Sequence, residues 1–111
     1  MRRTVARAHL RSFAEAPCAK AGDVVAWVRA DPRHPGWFLG RDTRGVEGYF
    51  ATGWFDVDEA RRCARAQRDY DAGELSVGVG ESVEVVETYG GWLRVAKAGG
   101  AAGWIPEACI D

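Results

Sequence analysis

Between residues 82 and 88 apolar and polar side chains alternate, with Val83 and Val85 on one face and Glu84 and Glu87 as polar positions, the period of a half-buried strand. A second strand is predicted over residues 92–97 after the short Tyr89-Gly90-Gly91 connection, and Gly99-Gly100 turns the chain into a third over 102–105. The first half has the same rhythm. Val25 and Trp27 mark a strand whose Trp27 is expected in the core, and residues 37–41 and 46–50 form a hairpin about 43–45. Each third strand leads into a short break, Ala51-Thr52-Gly53 or Pro106-Glu107-Ala108, long enough for one helical turn, and then into a final apolar pair. Ahead of each central hairpin, residues 11–22 and 69–80 read as long excursion loops that end in a Gly followed by an acid.

The elements recur because the chain does. Gly80-Glu81, Gly91-Trp92, Gly103-Trp104-Ile105 and Cys109-Ile110 have counterparts in Gly22-Asp23, Gly36-Trp37, Gly48-Tyr49-Phe50 and Trp54-Phe55. Residues 6–28 match 64–86 at an offset of 58, and 36–55 match 91–110 at an offset of 55. Two copies of one small β domain, 1–58 and 59–111, are the expectation. Residues 56–63 contain neither Gly nor Pro and read as a short link that holds the copies side by side.

Units this small have marginal cores, so the five Trp, four Phe and three Tyr must supply much of the buried area, while 14 Gly supply turns. Residues 1–58 carry nine Lys/Arg against seven Asp/Glu, and 59–111 carry six against nine. Neither half has the concentrated basic face that nucleic acid requires, and the acidic second half favours a basic ligand. Cys18, Cys63 and Cys109 are odd in number and widely spaced, which writes neither a zinc site nor a disulfide framework. Arg7, His9 and Arg11 interrupt any apolar leader near the N-terminus, and no membrane span follows, so a cytoplasmic location is expected. His9 and His34 read as ordinary surface or strand residues, and no acid, base, nucleophile or metal-ligand constellation stands out, so no enzyme activity and no cofactor are expected.

In the second copy A-x-x-D-Y-D-A at Ala66 to Ala72, E-L-S at Glu74 to Ser76, Gly80-Glu81, Gly91-Trp92 and G-W-I-P at Gly103 to Pro106 occur in order. Together they resemble a Src homology 3 (SH3) domain, and the whole chain is similar to a bacterial tandem variant. The resemblance implies an all-β fold of two tandem SH3-like five-stranded β-barrels joined by a short linker, with the first barrel more divergent. It also implies an aromatic groove for extended, polyproline-type peptides, whose prolines pack on rings while an acid selects Arg or Lys.

Carried over on that resemblance, the second copy keeps Tyr70, Glu74, Trp92, Trp104 and Pro106 as peptide-binding positions. It departs from the pattern at Arg68 and Cys109, where the family has tyrosines that wall one proline pocket. The first copy offers Leu10, Ser12, Trp37, Tyr49, Ala51 and Trp54 at the corresponding places, of which Trp37, Tyr49 and Trp54 can form an apolar surface. The leading expectation is a non-enzymatic adaptor, monomeric or weakly dimeric, that takes a Pro-rich peptide with Arg or Lys, mainly through the second barrel and with about micromolar or weaker affinity. The alternative is an assembly module whose aromatic faces are buried between the barrels or against another subunit. Cell-wall peptide binding is a third reading, against which the lack of an export signal argues.

Overall fold

The computed structural model describes residues 1–12 and 15–110. The fold is all-β: strands and two one-turn 3-10 helices account for the regular structure, with no α-helix among the described residues. Contacts divide the chain into two compact units, Glu15–Ala72 and a second made of Met1–Ala14 with Gly73–Asp111.

In the unit Glu15–Ala72, β3 (Val24–Ala30), β4 (Trp37–Arg41), β5 (Glu47–Ala51), β6 (Phe55–Asp58) and β7 (Cys63–Ala66) form one sheet in the order β5-β4-β3-β7-β6. A two-stranded ladder pairs β2 (Cys18–Ala19) with β8 (Tyr70–Asp71). The core is aromatic. Phe38 and Phe50 stack at 5.2 Å, Phe55 meets both edge-on at 5.5 and 5.4 Å, and Tyr70 packs on Phe50 and Phe55. Such offset and edge-to-face pairs add to the area term, which helps a unit of this size hold together.

In the other unit, β1 (Arg2–Thr4), β9 (Ser82–Tyr89), β10 (Trp92–Ala96) and β11 (Ala102–Pro106) form a sheet in the order β1-β9-β10-β11. Its core is aliphatic, with Val5, Val77, Val83, Leu93, Val95, Ile105 and Cys109 buried together. Val83 lies inside as the alternation predicts, and Val85 packs against the cluster half-buried. The β9–β10 turn is Gly90-Gly91, both at positive φ (54° and 87°), a backbone that glycine adopts without strain. The 3-10 turns at Thr52–Trp54 and Glu107–Cys109 fall one residue later than the sequence places them.

The division expected at 58/59 is not where the compact units divide, because each unit takes its first strand from the other repeat. β1 pairs with β9, with Arg3 opposite Val83, although β1 belongs to the first repeat and β9 to the second. β7, from the second repeat, lies between β3 and β6 of the first, with Val25 and Val57 both opposite Ala64. The segments ahead of the central hairpins also pair across the repeats: Cys18 pairs with Asp71, and His9 bridges Val77.

The cause lies in residues 56–63, which form a hairpin and not a link. Asp58 pairs with Cys63 across the turn 59–62, closed by the Arg62 N–H donating to the Glu59 carbonyl at 3.1 Å. Strands joined by so short a connection pair with each other, which draws the second repeat's first strand into the first repeat's sheet. The exchange also removes the charge asymmetry. The N-terminal arginines at 2, 3, 7 and 11 join the acidic C-terminal segment, so that unit holds six basic and six acidic residues, against nine and ten in Glu15–Ala72.

Candidate functional site

The exchange parts the expected binding residues. Glu74, Trp92, Trp104 and Pro106 stay in the unit that contains the N-terminal segment, while Tyr70 joins Trp37, Tyr49 and Trp54 in Glu15–Ala72. Each half-set is a separate arrangement with its own chemistry.

In the first arrangement, β11 holds the Glu74 segment by its backbone. The Trp104 N–H donates to the Gly73 carbonyl at 2.9 Å, and the Leu75 N–H donates to the Trp104 carbonyl at 3.0 Å, so Glu74 is clamped between two bonds. Gly103 makes that approach possible, because a Cβ there would lie 2.8 Å from the Gly73 oxygen and 3.0 Å from the Leu75 nitrogen. The Trp104 ring is buried at 2% exposure, so this residue positions the acid and offers no ring to a ligand.

The Glu74 carboxylate is already engaged. Its Oε1 lies 2.8 Å from His9 Nε2 and accepts from the Ser12 hydroxyl at 2.8 Å and the Ser12 N–H at 3.2 Å. The His9 and Glu74 side chains are 16% and 14% exposed, enough shielding from water for the contact to matter. His9 and Trp92 also meet in a T-shaped pair, with ring centroids 5.9 Å apart at 83°. Trp92 is half-buried at the start of β10, placed there by the Gly90-Gly91 turn and paired across the sheet with half-buried Pro106.

His9, expected to be an ordinary residue, is thus a member of the cluster, and Ser12 bonds the acid. Neither is found from the second repeat alone, because both come from the first. The signal that could have found them is the four-residue turn at 59–62, which implies that first strands change places.

The second arrangement is closed. Tyr70 (3% exposed), Trp54 (7%) and Trp37 (9%) are buried, and Tyr49 is exposed. The Tyr70 hydroxyl donates to the Tyr49 carbonyl at 2.8 Å, and its ring meets Trp54 edge-on at 5.4 Å. Arg68, which stands where the family has a ring, lays its guanidinium over Trp54 at 3.7 Å from the centroid. That is a cation–π contact made within the chain. Trp27, expected in the core, is half-buried.

A buried acid ties together loops of the same unit. The Asp42 side chain is fully shielded and accepts from the backbone N–H groups of Cys18, Arg44 and Val46 at 2.9–3.1 Å and from the Arg44 guanidinium at 2.7 Å. Burial alone would raise its pKa, but the Arg44 side chain together with the N–H groups of Val46, Cys18 and Arg44 outweighs that and holds it below 3.8. Cys109 moves the other way: burial pushes its thiol up, against a smaller opposing pull from Arg7. Cys63 and Cys109 fall in different compact units.

Residues 64–111 match the family model of the bacterial SH3 domain. The match supports an SH3-like domain. It begins at β7, so its first residues lie in Glu15–Ala72 and the remainder in the other unit. No curated protein and no solved structure matches the chain. An SH3-like domain is in general a protein-interaction module and is generally non-catalytic. Among the described residues no group of three or more His, Cys, Asp or Glu is placed to hold a metal ion, and no helix is long and apolar enough to cross a membrane.

Proposed function

We propose that the protein is a peptide-interaction module built as two SH3-like barrels that exchange their first strands, with its working face on the unit that contains Trp92. The observation that carries this reading is the cluster of Trp92, Pro106, His9 and Glu74: a half-open indole beside a proline, with a carboxylate held by β11. An extended Pro-rich segment would pack on Trp92 and Pro106, and Glu74 is the acid that a basic ligand residue would seek. In the other unit Trp37, Trp54 and Tyr70 are buried, with Trp54 covered by Arg68 and Tyr49 exposed, which supports a structural role for the three buried rings.

An NMR titration of the isotope-labelled chain with a Pro-rich peptide flanked by Arg tests the reading. Shifts at the Trp92 indole and around Glu74, absent in a folded Trp92→Ala protein, are expected. Unmoved signals at about millimolar peptide, where even weak complexes form, would leave the assembly alternative in possession of both faces.

A further inference from the structure

On that interaction reading, we infer that His9 sets the ligand's charge requirement: the imidazole occupies Glu74 and competes with the ligand's basic residue for it. The family-like acid is not vacant, because all three of its contacts among the described residues fall on Oε1 and all come from the N-terminal segment. Two of them are from Ser12, whose donors are neutral. The third is from His9, the side-chain type whose charge changes between about pH 5 and 8.

The competition has a direction. With a neutral imidazole, Glu74 keeps its full negative charge behind a hydrogen bond that an arriving guanidinium can replace. With an imidazolium, the carboxylate is neutralised by a charge-assisted contact, and the arriving cation meets a like charge beside Trp92. A basic peptide therefore binds more weakly as pH falls, and a neutral peptide that uses only Trp92 and Pro106 does not respond.

The surroundings leave this pair to decide the matter. Among the described residues Glu74 is the charged group paired with the imidazole; Val77 and Trp92, from the other elements against it, bring no charge. On its own segment Arg7 and Arg11 flank it, with their N–H groups on the Cys109 carbonyl and the Ser76 hydroxyl. Both arginines keep their charge across this range, so they set a constant background.

The test measures the Kd of an Arg-flanked Pro-rich peptide and of its Arg→Gln counterpart at about pH 5.5 and about pH 7.5, on the full chain and on His9→Gln, which keeps a donor without the charge. The Arg peptide is expected to bind roughly five- to tenfold more weakly at the lower pH, because its affinity scales with the fraction of the protein in which Glu74 is open to the ligand. The Gln peptide, and both peptides on His9→Gln, should change less than about twofold. Equal pH dependence in His9→Gln, or a flat Arg peptide on the unaltered chain while the Gln peptide still binds, overturns the role of His9 alone. No binding of either peptide at either pH overturns the interaction reading and this inference with it.

Discussion

Val5 is the residue whose truncation reports most clearly where the N-terminal strand is inserted. It is 1% exposed, belongs to the aliphatic cluster with Val77, Val83, Leu93, Val95, Ile105 and Cys109, and its N–H donates to the Glu81 carbonyl at 2.8 Å. Val5→Ala removes two buried carbons, worth about 1.6 kcal/mol at about 0.8 kcal/mol each. A cavity of about 50 Å3 that fails to collapse adds about 1 kcal/mol at ~24 cal/mol per Å3, for a loss of about 2–3 kcal/mol. Denaturant unfolding should lower the midpoint by that free energy divided by the slope, with little change in the slope itself. Methyl NMR should place the native-state shifts at Val77, Val83, Leu93 and Ile105. If the variant instead disturbs the ring signals of Phe38, Phe50 and Phe55 and leaves those methyls unmoved, the N-terminal strand completes the aromatic unit and the exchange is refuted.

Asp42→Asn puts an amide against the Cys18 and Arg44 donors and should cost about 1–3 kcal/mol by chemical denaturation. Because the folded carboxyl titrates below the ordinary value of 3.8, its stabilisation is complete above that pH and is lost as pH falls through the lower folded value; the Asn variant should lack this part of the acid dependence. Gly103→Ala should drive the Gly73–Leu75 backbone off β11 at a cost of about 1–3 kcal/mol, and the Trp92 and His9 signals should shift with it, whereas Gly99→Ala, in open space, should leave both in place. Under native conditions a thiol reagent should modify exposed Cys18 rapidly and buried Cys109 only at the rate of unfolding; equal rates would contradict the packing around Cys109.

The strands were legible in the chain because their signals are local. Alternation at 82–88, the Gly90-Gly91 turn and the matching hairpin at 37–50 each depend on neighbours a few residues away, and they recur where expected. The partnership of strands was not legible from the repeat. Similar segments can complete either unit, since Ala6 and Ala64 are aligned positions, and the choice rests on how far the chain must travel between 58 and 63. A turn of four residues settles it in favour of the hairpin.

The candidate site was half legible for the same reason. The resemblance names Glu74, Trp92 and Pro106, which stay in one unit, and groups with them Tyr70, which falls in the other. Trp104 and Trp54 fit either a groove or a buried aromatic face on sequence alone; each is buried, the first lending its backbone and the second its ring face to Arg68. His9 carries no pattern of its own. Its role depends on a strand drawn from the opposite end of the sequence, which places its imidazole 2.8 Å from Glu74.

Cross-strand NOEs in the full chain test the exchange of first strands most directly. Contacts are expected between Val25 and Ala64 and between Arg3 and Val83, the pairs that cross from one repeat to the other. Contacts of residues 63–65 with the strand at 82–85, together with residues 3–5 against the strand at 24–26, would show each repeat folded on itself and contradict it.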